Sequence, residues 1–227
     1  MFIIKYYLAG AILCLVLSYF ASYLLLSLGL IWLALSLAAV STAYILKAPG
    51  VFRKKQDGTI PLAIRWLFIP FLAGVQLYNL LARKRDKVPA IQQIEDKLFL
   101  ACRLFPADMA ELHSKGIKAL VDVTAEFDGL DWTAHAEDLA YLNVPVLDHQ
   151  SPEEQDLIHA VQWIANQQRA GKSVVVHCAL GRGRSVLVVA AYLLCQYPEL
   201  SVEQALKRIN DIRQTAALNR SQLKALI

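Results

Sequence analysis

The sequence predicts an N-terminal α-helical membrane region followed by an α/β domain with a mostly parallel central sheet flanked by helices. Three observations carry this expectation. Residues 2–46 hold a single charge, Lys5, in an otherwise apolar run. From about Val88 onward, short apolar segments alternate with longer amphipathic ones, the pattern of strands joined by helical crossovers. Finally, "VVVH" gives way at Cys178 to a loop of glycines and arginines before a helical run resumes.

The first region, 1–46, is long enough for two bilayer crossings at about 20 residues each. It reads as a transmembrane hairpin turning near Ser27-Leu28-Gly29, because a soluble helix keeps a polar face. Residues 47–87 form a basic loop and then "TIPLAIRWLFIPFLAGVQLYNLLARKRDK". That segment reads as an interfacial helix with Trp66, Phe68, Phe71 and Tyr78 at head-group depth; a third crossing is the alternative. A crossing would put Arg53-Lys54-Lys55 and Arg83-Lys84-Arg85 on opposite sides, against the preference of basic residues for the cytoplasmic face.

Charge follows the same division. Residues 1–87 contain ten Lys/Arg against two Asp/Glu, and the remainder 13 against 17, within a net charge of +4. The basic excess thus belongs to the membrane region, where it suits anionic lipid, and nothing points to nucleic acid. Cys14, Cys102, Cys178 and Cys195 show no paired spacing, so neither a disulfide framework nor a metal site is expected. No cofactor is implied.

Within 88–227, "KLFLA" reads as a strand, "PADMAELHSKG" as a helix closed by Gly116 and "IKALVDV" as a buried strand. "WTAHAEDLAYL" reads as a helix, "NVPVLD" as a strand and "SPEEQDLIHAVQWIANQQRAGK" as a helix. That helix should start with Ser151 as N-cap, Pro152 at the first position and Glu154 at capping-box spacing. "SVVVHC" is a strand, "SVLVVAAYLLCQY" a helix, and Ser201 with Gln204 caps a last one.

Ligands of such sheets bind beyond the carboxyl ends of the strands, at helix N-termini, and "HCALGRGRS" occupies that junction. Gly181 and Gly183 allow the backbone N–H groups of Ala179, Leu180, Gly181, Arg182, Gly183 and Arg184 to curl around one anion. The Arg184 guanidinium can fork onto two phosphate oxygens. Cys178 lies at the base, where amide dipoles and Arg184 favour a thiolate. A thiolate beneath a bound phosphate is an in-line nucleophile giving a cysteinyl-phosphate. Ser185 is placed to donate to the departing sulfur, and His177 to hold the loop's shape. The leaving oxygen needs a proton. Asp148, after a strand, is the candidate acid and Asp122 the rival. Asn219 and Gln222 read as helix caps or surface amides, the alternative being that Gln222 orients the hydrolytic water.

His177-Cys178-x5-Arg184-Ser185 resembles the signature of the cysteine-dependent protein tyrosine phosphatase superfamily. "KLFLA", "GIKALVDV" and "VPVLDHQSP" resemble its dual-specificity branch, so the likeness spans roughly residues 94–225. The resemblance implies that Asp148, 30 residues before Cys178, is the general acid. The loop is also similar to that of phosphatidylglycerophosphate-type phosphatases, with Arg182 as a second cation at the rim, although Ala179-Leu180 after the cysteine is apolar. The expected enzyme is a membrane-anchored phosphatase, its catalytic domain on the cytoplasmic face. Its expected partners are the bilayer and a phosphorylated membrane protein or an anionic phospholipid. The alternative, a catalytically silent phosphate-binding scaffold, predicts loss of Cys178, Arg184 or the acid, and all three residues are present.

Overall fold

A computed structural model describes residues 2–128 and 139–227. Two apolar helices, α1 (Phe2–Phe20) and α2 (Leu24–Ile45), pack against each other. The chain reverses at residues 21–23 rather than at Ser27-Leu28-Gly29. Ser27 is instead helical: its amide donates to Tyr23 O at 3.0 Å and its hydroxyl to Ser18 O at 3.0 Å, tying the start of α2 to α1. The outer faces are apolar, with Ile12, Leu17, Leu25 and Leu35 exposed.

After a 3-10 turn at Pro49–Phe52 comes α3 (Leu62–Asp86). Leu24–Ile45 and Leu62–Asp86 are long and apolar enough to cross a membrane, whereas the apolar stretch of α1, Ile4–Phe20, is shorter. Along α3, Phe68, Phe71, Asn79 and Ala82 face inward, spaced by about one or two helical turns. Trp66, Leu77, Tyr78 and Leu81 face outward and are exposed. The four aromatics expected together at head-group depth are therefore divided: Phe68 is 1% exposed and Trp66 58%.

Among the described residues the α/β domain has five strands, β1 (Ile91–Glu95), β2 (Leu98–Ala101), β3 (Ile117–Asp122), β4 (Ala140–Asn143) and β5 (Ser173–His177), in the order β1-β2-β5-β3-β4. Only the β1–β2 pair is antiparallel. Side chains alternate across the sheet. Leu98, Leu100, Ala119, Val121, Val174 and Val176 pack beneath α5 (Glu154–Arg169), α6 (Arg184–Gln196) and α7 (Val202–Ile212). Phe99, Leu120 and Val175 face the other way, towards α4 (Met109–Ser114). A short α8 (Arg220–Lys224) ends the chain.

Three expectations need correction. The helix read over 132–142 falls partly on residues 129–138, outside the described part, while Ala140–Asn143 is strand β4. The strand read over 143–148 is shorter and earlier. Val144 and Val146 still bond to the segment after β3, Val144 N–H to Asp122 O at 2.8 Å and Val146 O from Ala125 N–H at 3.2 Å, without extending the ladder. Finally, α5 starts at Glu154 behind Glu153, with no side-chain cap, so Ser151 and Pro152 precede it. The Ser201–Gln204 capping box of α7 is present as expected.

The N-terminal region and the α/β domain are packed together. Ala125 and Leu147 join Val40, Ala43, Phe52, Phe68 and Phe71 in one apolar cluster. Lys54 Nζ donates to Asp122 Oδ2 at 2.5 Å, to Thr124 O at 2.8 Å and to Thr124 Oγ1 at 3.2 Å. Further along, Arg65 meets Asp128 at 3.0 Å, Arg83 donates to Arg103 O at 3.3 Å, and Asp86 pairs with Arg182. Burial alone would raise the Asp122 carboxyl, but Lys54 and His177 hold it well below the usual carboxylate range. Removing Lys54 strands that carboxylate. In the full-length protein Lys54→Met is expected to lower the unfolding free energy by about 3–5 kcal/mol, read by chemical denaturation in detergent micelles. A loss below about 1 kcal/mol, the worth of a surface pair, would contradict a buried linker contact.

Candidate active site

The four parallel strands end on one edge of the sheet, and β5 delivers Cys178 there. The loop from Cys178 to Gly183 is shaped by what its carbonyls bond to. Ala179 O accepts from Arg103 N–H at 3.0 Å, Arg182 O from Ala217 N–H at 2.8 Å and Gly183 O from Leu187 N–H at 2.9 Å. Leu180 O and Gly181 O accept from Arg213 Nη2 at 3.0 Å and Nε at 2.7 Å. Five consecutive carbonyls are thus satisfied. Each peptide plane sets the next residue's N–H opposite its carbonyl, which turns the amides of Leu180 through Arg184 away from those partners. They supply the donors of an anion cup.

Gly181 is essential to that path. Its φ is +66°, and a Cβ there would lie 2.7 Å from both Ala101 O and Arg213 Nη2. At the base, Cys178 is 3% exposed and the Ser185 hydroxyl donates to its sulfur at 3.2 Å.

Arg184 is 1% exposed. Its Nη1 and Nη2 donate to the two oxygens of Glu126, each at 2.8 Å, and Nη1 also to Val146 O at 2.8 Å. Nε has no partner among the described residues. The end of the guanidinium is therefore committed to Glu126, while its Nε–Nη2 edge remains available for a two-oxygen contact. Burial alone would lower this guanidinium's pKa, but Glu126 and then Asp148 raise it well above its usual value.

Asp148 Oδ1 lies 3.4 Å from Arg184 Nη2, with its side chain half exposed. Its loop is pinned from α8: Asn219 Nδ2 donates to His149 O at 2.8 Å and Gln222 Nε2 to Gln150 O at 3.1 Å. Asn219 and Gln222 also form the α8 capping box, so the caps expected from sequence also hold the loop of Asp148. Asp122, the rival acid, is sealed at 3% exposure among Lys54, Thr124 and Tyr141. His177 is buried with Nε2 3.7 Å from Asp122 Oδ1, and burial pushes its imidazole below the ordinary value.

The structure brings Cys178, Arg184, Ser185 and Asp148 together around the cup formed by the amides of Leu180, Gly181, Arg182, Gly183 and Arg184, with Ala179 leading into it. Arg182 is placed differently: its guanidinium bonds Asp86 at the end of α3. Glu126, Arg213 and Lys54 escape the sequence reading. Glu126 follows β3 at the functional edge, a position that could have flagged it. Arg213 and Lys54 carry no local signal. Among the described residues no cluster of His, Cys, Asp and Glu is arranged to hold a metal ion.

The family model for the dual specificity phosphatase catalytic domain matches residues 98–227. The chain is 30% identical over 166 residues to the phosphatidylglycerophosphate phosphatase PTPMT2 of Arabidopsis thaliana, covering 71% of each. It is 30% identical over 142 residues to dual specificity protein phosphatase 1 of Arabidopsis thaliana, covering 62% of this chain and 68% of that one. The crystal structure of PTPMT1 in complex with PI(5)P shares the fold, with a TM-score of 0.55 at 24% identity over 61% of this chain and 92% of its own.

Replacing Gly181 tests the cup. Gly181→Ala is expected to lower kcat/KM on an aryl phosphate by about 10²-fold, the cost of a misplaced constellation, while far-ultraviolet circular dichroism stays unchanged. Activity retained within twofold would contradict the close backbone approach.

Proposed function

The chain belongs to the dual specificity phosphatase family, and from that premise we propose a membrane-anchored hydrolase that cleaves phospholipid head-group phosphomonoesters through a cysteinyl-phosphate. The observation that carries the mechanism is the edge of Arg184 left free by Glu126, together with inward-turned amides and a cysteine beneath them. In the first step the Cys178 thiolate attacks phosphorus in line with the ester oxygen. The P–O bond breaks and Asp148 gives its proton to the departing alkoxide. The cup amides and the Nε–Nη2 edge of Arg184 hold the three remaining oxygens. In the second step water attacks phosphorus, Asp148 takes the water proton, and the P–S bond breaks to return the thiolate, supported by Ser185.

The membrane reading draws on the contacts of α3. Its residues Arg65, Arg83 and Asp86 all bond to the catalytic domain, over about 30 Å of helix. A crossing α3 would carry those polar contacts into the hydrocarbon, at a cost of several kcal/mol each. An interfacial α3 avoids this, with α1 and α2 crossing. Lys54 and Arg83 then lie on the same side as the catalytic domain, and both basic clusters with them, which favours the cytoplasmic face.

Lipid is favoured over phosphoprotein by the apolar flank that α3 leaves exposed at Trp66, Leu77, Tyr78 and Leu81 and by the substrate in the relative's name. Purified full-length protein should hydrolyse phosphatidylglycerophosphate or phosphoinositides in mixed micelles faster than phosphotyrosine or phosphoserine peptides, and a reversed order overturns the lipid assignment. Cys178→Ser should abolish all turnover. Asp148→Ala should slow alkyl phosphates by about 10²–10⁴ and activated aryl phosphates far less; equal losses would remove Asp148 as the acid.

A further inference from the structure

Two tyrosines outside the matched region stand beside the catalytic charges. Tyr7 is near the start of α1 and Tyr44 near the end of α2, so both lie at the same end of the hairpin. Their ring centroids are 6.1 Å apart, and Tyr7 meets Phe71 of α3 edge-on at 5.5 Å. Both pack on the cluster containing Ala125 and Leu147, the chain neighbours of Glu126 and Asp148. The Tyr7 hydroxyl is within electrostatic reach of Asp148 and Glu126, and that of Tyr44 within reach of Glu126, Asp148 and Arg184.

Neither hydroxyl has a hydrogen-bond partner among the described residues, and neither belongs to the fully enclosed polar atoms that lack one. Two half-buried phenols with free donors therefore stand beside the segments that carry Glu126 and Asp148. Core packing explains their rings but not their hydroxyls, since phenylalanine would fill the same space.

The nearby cations are already engaged. Lys54 is bound to Asp122, Arg65 to Asp128 and Arg182 to Asp86. A substrate whose terminal phosphate occupies the cup presents its next polar group outward, towards the bilayer. In a membrane lipid with a terminal phosphomonoester, that group is the linking hydroxyl or the inner phosphodiester, both of which accept hydrogen bonds. A neutral phenol can donate to either, and tyrosine is suited to head-group depth.

We propose that Tyr7 and Tyr44 form a wall of the catalytic pocket that contacts the head group and selects phosphomonoesters borne by membrane lipids over free ones. This rests on the phosphatase reading above and deepens it. The anchor then contributes specificity as well as proximity, and the pocket is incomplete without residues 1–87.

The test compares full-length wild type with Tyr7→Phe, Tyr44→Phe and the double variant in detergent. The two probes are para-nitrophenyl phosphate and phosphatidylglycerophosphate carried in phosphatidylcholine vesicles or micelles. The ratio of lipid to aryl kcat/KM should fall about tenfold in each single variant, as for loss of one hydrogen bond to a charged group, and further in the double. Since phenylalanine preserves the rings, aryl phosphate turnover also reports that each variant is folded. A ratio unchanged within twofold in the double variant overturns the assignment, as does an equal loss on both substrates. Wild type inactive on both probes overturns the phosphatase reading itself. Wild type active on the aryl phosphate alone overturns the lipid reading and this wall with it.

Discussion

The site depends on the outward satisfaction of five consecutive loop carbonyls. An anion cup needs several amide donors aimed at one point, which a chain adopts only if the opposing carbonyls are paired elsewhere. Here Arg213 takes two of them, and backbone amides of Arg103, Ala217 and Leu187 take the others. Arg213 is itself 2% exposed and reaches back to Pro89 O and Gln92 Oε1. A single guanidinium thus ties the phosphate loop to the segment entering β1. The cup is preorganised by contacts made beneath it, so little reorganisation remains when an anion arrives.

The N-terminal helical region is built into the same arrangement. Polar contacts along α3 and one buried lysine in the preceding loop fix the N-terminal helices to the strand ends. Asp86 bonds the loop residue Arg182 directly, while Arg83 bonds the carbonyl of Arg103, whose amide holds Ala179 O. Tethering on a flexible linker would raise only local concentration. Rigid docking also fixes which way the cup faces relative to the N-terminal helices.

Legibility in the sequence followed the range of the interactions. The Cys178–Arg184 loop is readable because its chemistry lies within eight residues and its flanks alternate strand and helix. The Ser201–Gln204 box is readable for the same local reason. The strands with apolar runs, β2, β3 and β5, were identified, whereas β1, with Gln92 and Gln93, and β4, which carries no continuous apolar run, were not. Glu126, Arg213 and Lys54 act on partners 32 to 124 residues away, and no pattern in a single chain marks such pairs. The inward turn of Phe68 and Phe71 was likewise hidden. Hydropathy makes them equivalent to Trp66, and only the facing domain separates them.

The charge balance explains why the mouth of the pocket offers phenols rather than lysines. Arg184 is embraced by Glu126 and approached by Asp148, and Arg213 is spent on the loop carbonyls beneath the cup. A phosphate dianion is drawn in by converging amides and by the N-terminus of α6, whose partial charges act only at short range. Such a site favours a small terminal phosphate and offers little attraction to the remainder of an anionic molecule. Additional cations at the mouth would draw phosphate to the rim and compete with the cup. Neutral hydroxyls instead recognise the next oxygen outward without lowering the energy of a misplaced dianion. The same reasoning accounts for Arg182, whose charge is spent on Asp86 and the seating of α3.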